Sequence, residues 1–502
     1  MRNNALERAS RPHRVESDSL GEMPVPSGAL YGIQTQRAID NYPITGVRIS
    51  HYPEFIKALA AIKKASAMAN ERMELLDATR SQAIRQACDL LMAGKHRGHF
   101  RVDVIQGGAG TSSNMNANEV IANLALEILG RKRGDYAFLH PNNHVNLSQS
   151  TNDVYPSAIR LTLVIMGQAL HKALGRLSRA LADKAAQFGH VIKIGRTQLQ
   201  DAVPMTLGQE FRAWGIMVDE DRQRLLEALD LVREINLGGT AIGTGINAPP
   251  EYAPLVVALL NQVSGQNMLL AENLVEATQD AGAYVQFSGV LKRTAVKLSK
   301  ICNDLRLLSS GPRCGLGEIR LPKMAPGSSI MPGKVNPVIP EVVNQIAFQV
   351  IGSDLTVTMA AEAGQLELNA MEPVLAHNLF NSLTLLRRGA IVLAEKCIQV
   401  IEANEDRCRE QVEQSLGLAT ALCPYVGYEA ATKVAQHAQH HGVSVLQAAR
   451  ELLDWDDARL AEVLDPASML KPCEPKREYV CFTAGRSDPA PCAPDLDDHD
   501  KD

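Results

Sequence analysis

The sequence predicts a mainly α protein organised around a central bundle of long helices, and three features of it carry that expectation. Aromatic residues make up only 4% of the 502 residues, while hydrophobic residues reach 45%. That balance suits closely packed helices better than a β-sandwich. Second, the stretch from Ser157 to Phe188 contains no proline, and Leu163, Met166, Leu170, Leu174, Leu177 and Leu181 recur at helical spacing. Such a pattern marks a helix with one buried stripe. Third, the style repeats in Leu207–Ile235 and in Ala283–Leu308, where Phe287, Val290, Leu291, Leu298, Ile301, Leu305 and Leu308 form the stripe. Helices of this size run to roughly 40 Å. Rods of that length bury their stripes on each other and commonly on a second copy of the chain, so a homo-oligomer is expected.

Four regions follow along the chain. Residues 1–148 mix short helical patterns with loops rich in Gly, Pro and Asn, such as GEMPVPSGALYG and HPNNHVN. Residues 149–403 hold the long bundle helices, and 404–471 read as a small C-terminal helical domain with shorter, more charged segments. Residues 472–502 are rich in Pro and Asp, a composition that favours disorder. The N-terminal MRNNALERASRPHR lacks the apolar core of a secretory signal and reads as a frayed end. No apolar run approaches the ~20 residues of a membrane helix. A net charge of −5 gives no reason to expect nucleic acid or an anionic membrane as partner. Nine scattered cysteines form no C-x-x-C pair, which fits reduced thiols in a cytoplasmic protein.

Chemistry is expected where polar, glycine-bearing segments interrupt the helices. Gly107–Glu119 (GGAGTSSNMNANE) concentrates Thr111, Ser112, Ser113, Asn114 and Asn116 behind flexible glycines. It reads either as a neutral hydrogen-bonding cradle for a carboxylate or as a helix start capped by Ser or Asn. Ser148–Asp153 (SQSTND) precedes a long helix, and hydroxyls at a helix N-terminus bind anions well. Gly195–Asp201 (GRTQLQD) offers Thr197 and Gln198 as uncharged groups, with Arg196 able to pair with Asp201. Gly327–Pro337 (GSSIMPGKVNP) cannot sit inside a helix and carries Ser328, Ser329, Lys334 and Asn336. His437, His440 and His441, and likewise His140 and His144, have helical spacing but read as surface histidines rather than metal ligands.

Taken together, the four segments resemble the aspartase/fumarase superfamily, whose signature G-S-S-x-x-P-x-K-x-N is matched at every fixed position by residues 327–336. The resemblance runs from about Val15 to Met469. It implies a three-domain fold, a homotetramer, and active sites that each draw on three subunits. It implies elimination of ammonia from L-aspartate to give fumarate, with no organic cofactor; activation by a divalent cation such as Mg²⁺ stays open. Position by position, it makes Ser328 the general base at C3. Thr111, Ser150, Thr151 and Ser329 would hold the carboxylate beside that carbon, and Lys334 and Asn336 the other one. Asn152 and Thr197 would face the amino group, with Gln198 beside them.

The alternative, fumarate hydratase, shares these motifs. Fumarases resemble G-R-T-H-L-Q-D where this chain has Gln198. Malate must lose hydroxide and needs a protonated partner, whereas ammonium leaves as ammonia and needs only acceptors; glutamine does not titrate. GAGTSSNMN, the S-T-N-D at 150–153 and Met359–Pro373 also resemble aspartases, while Gly333 is commoner in fumarases. Asn143 and Leu147 replace the aspartate and lysine typical of relatives, which puts a second, non-catalytic dicarboxylate site in doubt.

Overall fold

A computed structural model describes residues 12–472. The disorder expected at the N-terminus up to residue 11 and beyond residue 472 falls outside the described residues, whereas His13 and Arg14, expected to fray, are paired in a strand with Pro26 and Val25.

Helices dominate, and among the described residues the strands form two-stranded pairs, beside two isolated bridges, Arg48–Asp103 and Gln365–Leu368. The described chain divides into two compact units. The first comprises residues up to Ala180, Trp214–Arg306 and Pro322–Val400. It opens with the antiparallel hairpin β1 (His13–Asp18) and β2 (Gly21–Pro26), followed by helices α1 (Ile33–Asn41), α2 (Pro53–Arg72), α3 (Ala78–Met92) and α4 (Thr111–Ile128). Next come residues 151–180 of α5 (Thr151–Gln187) and the portion of α6 (Leu207–Leu231) from Trp214 onward. Helices α7 (Tyr252–Ser264), α8 (Gly282–Leu308, up to Arg306), α9 (Val338–Glu362) and α10 (Glu372–Lys396) complete it. Helix α2 packs on both α3 and α7, and α9 lies along α10.

The stripes read from the sequence are the buried ones. All six named residues of α5 are buried, and on α8 only Val290 is partly exposed. Two boundaries differ from expectation. Helix α5 starts at Thr151, with Pro156 inside it. Proline has no N–H for the carbonyl four residues back. That carbonyl, of Asn152, accepts instead from Asn236 Nδ2 at 2.9 Å, so the helix continues through the proline. Helix α6 ends at Leu231, short of the expected Ile235, because Glu234–Ile235 (β5) pairs in parallel with Leu269–Leu270 (β6).

The second unit joins residues 181–213, Leu307–Leu321 and the chain from Ile401. Its centre is an antiparallel hairpin, β3 (Ile192–Thr197) and β4 (Gln200–Thr206), with a register shift between Ile194 and Arg196. A short pair, β7 (Ile319–Arg320) with β8 (Glu402–Ala403), lies in the same unit. Around them sit α11 (Glu405–Gln414), α12 (Tyr428–His441), α13 (Val445–Leu452) and α14 (Asp457–Val463). Leu418, Leu422, Val434, Val445 and Leu460 form its apolar core with Ile194. Among the described residues, no helix is long and apolar enough to cross a membrane.

Candidate active site

The loop before α4 is wound left-handed at three successive residues, Gly108, Ala109 and Gly110, with φ of +87°, +51° and +86°. A side chain at Gly110 would lie 2.4 Å from the Tyr155 ring, so this position combines a left-handed backbone with direct contact to an aromatic face. The helix start is not capped by its own Ser or Asn, because Gly110 occupies the cap position. Gln106 Oε1 accepts from Ser113 N at 3.1 Å and from Ser113 Oγ at 3.2 Å instead. That division of labour leaves Thr111 exposed, its hydroxyl donating only to Gly108 O at 2.7 Å. Asn116 is structural, bridging Arg101 N and His99 O.

The first turn of α5 brings the SQSTND segment against α4. Asn114 Nδ2 donates to Thr151 Oγ1 and to Asn146 Oδ1, each at 3.1 Å. Asp153 is buried and acts as the organiser, its carboxylate accepting from Ser150 N at 2.9 Å, Gly238 N at 3.0 Å and Thr240 N at 3.1 Å. Burial pushes its carboxyl up to about 6 despite those donors. Asn152 Nδ2 is committed to Ala241 O at 2.8 Å. Its amide oxygen and second N–H are left for a ligand, and of the two only the oxygen can accept from an ammonium. Ser150, Thr151 and Asn152 are all half-buried.

Beneath this layer lies Lys63, which sequence reasoning missed. Its side chain is fully buried, and Nζ donates to Asn146 Oδ1 at 2.8 Å and Gln149 Oε1 at 2.9 Å. Burial pulls the amine down to about 7. The signal was present: Lys63, Ser66 and Asn70 sit at i, i+3 and i+7 on the buried face of α2, a polar stripe inside an otherwise apolar helix. Asn70 joins the same network through Ser148 Oγ at 2.8 Å and Leu147 O at 2.9 Å. Tyr155 and Glu372 were likewise missed. Both are buried, and Glu372 Oε2 has no hydrogen-bond partner among the described residues; burial pushes its carboxyl up to about 8.

Residues 327–336 form a closed loop. Gly327 N donates to Lys334 O at 2.7 Å, and Asn336 Nδ2 donates to Gly327 O at 3.0 Å, pinning the two ends together. Inside it, Ser328 Oγ accepts from Ile330 N at 3.1 Å and Met331 N at 2.9 Å. Two amide donors on one hydroxyl oxygen stabilise its deprotonated form, which is what a serine base requires. Ser329 and Lys334 are exposed, and Lys334 has no acidic partner among the described residues. Asn336 thus serves the loop with one N–H of its amide and keeps the second N–H for a ligand carboxylate.

Thr197 and Gln198 occupy the exposed tip of the β3–β4 hairpin in the second unit. Gln198 and Leu199 both have positive φ, +54° and +62°, the geometry of a type I′ hairpin turn. The expected Arg196–Asp201 pair is present only at 4.0 Å; the main partner of Arg196 is Glu318. Within one chain the structure thus unites Thr151 with Asn114, and sets Ser150 and Asn152 beside them. Among the described residues, no hydrogen bond or ion pair joins Ser328, Ser329, Lys334 or Asn336 to Thr111, Ser150, Thr151 or Asn152.

The histidines behave as surface groups. His437 Nε2 meets Glu451 Oε2 at 2.7 Å, and His140 Nδ1 accepts from Asn142 N and Asn143 N. Among the described residues, no group of three or more His, Cys, Asp or Glu is arranged to hold a metal ion.

The helical bundle with its polar, glycine-bearing loops is the fold of a lyase family, which comparison with known proteins identifies. Residues 21–352 match the Lyase family, and residues 418–471 match the fumarase C C-terminus. The aspartate ammonia-lyase of Pseudomonas fluorescens is 59% identical over 460 residues, covering 91% of this chain and 96% of that protein. The aspartate ammonia-lyase of Escherichia coli K12 is 49% identical over 468 residues, covering 93% and 98%. Among solved structures, a fumarate lyase from Brucella melitensis, described as fumarate lyase:delta crystallin and bound to cobalt, is 56% identical with a TM-score of 0.90, covering 92% of this chain and all of that one. A class II fumarase from Schistosoma mansoni is 36% identical with a TM-score of 0.87, covering 91% and 99%. The chain belongs to the lyase family that includes these aspartate ammonia-lyases.

Proposed function

We propose that this protein eliminates ammonia from L-aspartate to give fumarate, reversibly, with Ser328 as the base. The observation that carries the base assignment is the pair of backbone N–H donors on Ser328 Oγ. A C–H beside a carboxylate is a very weak acid, because its removal leaves an enediolate with two negative charges on one group. The site must meet that growing charge with preorganised donors. Ser150, Thr151 and Ser329 supply uncharged donors for that carboxylate, and exposed Thr111 joins them by turning its hydroxyl away from Gly108 O. Lys334 and Asn336 take the other one, where a full positive charge binds without bearing on the reacting centre. Thr197, Gln198 and the Asn152 amide oxygen accept from the departing ammonium. No organic cofactor enters this scheme, and a divalent cation enters only as a loosely bound activator.

The reading also needs more than one chain. We infer a homotetramer whose sites each combine segments from three subunits. Supporting it, Phe348, Ile351, Leu355 and Met359 form an exposed apolar stripe along α9. An apolar patch of that extent is normally covered by a partner.

The test is direct. Purified protein is given L-aspartate or L-malate, and fumarate is followed by its ultraviolet absorbance. Fumarate from aspartate is expected; fumarate from malate alone would overturn the assignment in favour of a hydratase. Ser328→Ala is expected to lower turnover by about 10²–10⁴, with a modest effect on aspartate binding. Near-full activity in that variant would remove Ser328 as the base.

A further inference from the structure

We propose that Glu318 is a positioning residue for ammonia release: it fixes the hairpin tip that presents Thr197 and Gln198. The inference rests on the reading that these two side chains face the amino group.

In a regular strand, residues 193 and 196 point to opposite faces, since side chains alternate with period two. Here the register shifts between Ile194 and Arg196, with the extra residue on β4, where Pro204 to Asp201 takes three steps against two on β3. Lys193 and Arg196, from either side of Gly195, nonetheless both reach one carboxylate. Lys193 Nζ lies 3.0 Å from Glu318 Oε2, and Arg196 Nη1 donates to Glu318 Oε1. The Glu318 side chain is fully buried and that of Lys193 nearly so. Gly195 sits at the shift with its missing Cβ only 3.0 Å from Val203 O, so nothing larger fits without moving the paired strand.

Glu318 is itself held firmly. Its N–H donates to Leu308 O at 3.0 Å, and its carbonyl accepts from Asn404 N at 2.8 Å. The second arm of the arginine is seated too: Arg196 Nη2 donates to Gln411 Oε1 at 3.3 Å, and Gln411 Nε2 donates to Leu316 O at 2.8 Å. Arg196 directly precedes Thr197. A shift of its guanidinium is therefore passed along the backbone to the tip, where no packing resists it because Thr197, Gln198, Leu199 and Gln200 are all exposed. Fold maintenance alone would require one cation on Glu318. Two, one on either side of Gly195 and next to the tip, fix direction as well as attachment. Removing the carboxylate leaves Lys193 with Glu210 but Arg196 with only Asp201 at 4.0 Å, so the guanidinium must turn towards water.

The test uses the full-length protein in the ammonia-adding direction, with fumarate and ammonium varied separately. Glu318→Gln is expected to raise KM for ammonium about tenfold or more, the scale at which a slight misplacement of a contact is felt, and to leave KM for fumarate within about twofold. Glu318→Asp keeps the charge and is expected to recover part of the loss. Arg196→Lys, which keeps a cation but loses the second arm, is expected to raise the ammonium KM even if Glu318→Gln does not fold. Glu210→Gln removes the other carboxylate near Lys193, 3.1 Å from its Nζ, and is expected to leave the ammonium KM unchanged. If Glu318→Gln and Arg196→Lys change only turnover, or move both KM values together, the positioning role is refuted. Thr197→Val separates this from failure of the underlying reading: an unchanged ammonium KM there refutes the assignment of the tip to the amino group.

Discussion

Replacing Gly110 with alanine tests whether the cradle depends on a close contact between two segments. The added methyl would sit 2.4 Å from Cγ of Tyr155 and 2.5 Å from both Cδ atoms, far inside van der Waals contact. The ring has nowhere to go: it is buried and packs edge-on against Phe55 with centroids 5.5 Å apart. Two costs combine. Forcing a methyl into a filled interior costs about 1–3 kcal/mol. Holding alanine at φ +86° adds about 1–2 kcal/mol. The expected destabilisation is therefore about 2–5 kcal/mol, measured by denaturant unfolding. A functional effect should accompany it. Tyr155 lies one helical turn after Thr151, so a displaced ring pushes the first turn of α5 away from α4 and lengthens the Asn114–Thr151 bond; KM for aspartate should rise. Adding Tyr155→Leu should return the packing share of the loss and not the backbone share. If Gly110→Ala unfolds at the same denaturant concentration as wild type with the same KM, the close-contact argument is wrong.

Two further outcomes concern buried titratable groups. Lys63 has its amine pulled down from 10.5 to about 7, so between those pH values the unfolded chain binds more protons than the folded one. Wild-type stability should therefore rise with pH across that window, by up to about 4 kcal/mol, and Lys63→Met should lack the rise when both are unfolded at pH 7 and pH 10. Glu372 runs the other way. Its carboxyl is pushed from 4.5 to about 8, so the folded chain binds the extra proton and stability falls as pH rises through that interval, then levels off. Glu372→Gln should remove the fall and be the more stable protein at pH 9 by a few kcal/mol, about the size of that shift in energy; equal denaturation midpoints at pH 5 and pH 9 for both proteins would contradict it.

The long helices were legible because burial along a rod has one period, and Leu163 to Leu181 displays it without interruption. The serine loop was legible for the opposite reason: Gly327–Pro337 contains too many residues that helices reject. The β3–β4 hairpin was not legible. Its turn residues, Gln198 and Leu199, carry none of the Asn or Gly that usually marks a left-handed turn. Lys63 was hidden in an apolar run, where a lysine ordinarily reads as a solvent-facing break in the stripe.

Local composition thus determined which segments are rods and which are polar loops, since period and residue type act over a few neighbouring positions. Tertiary structure alone decided the partners. Asn236 accepts the duty left by Pro156 from eighty residues away, and Glu318, more than a hundred residues from Arg196, displaces the nearby Asp201 as its partner. Those choices depend on which side chains meet in the interior, where an unpaired carbonyl or charge is costly, and no spacing along the chain encodes that meeting.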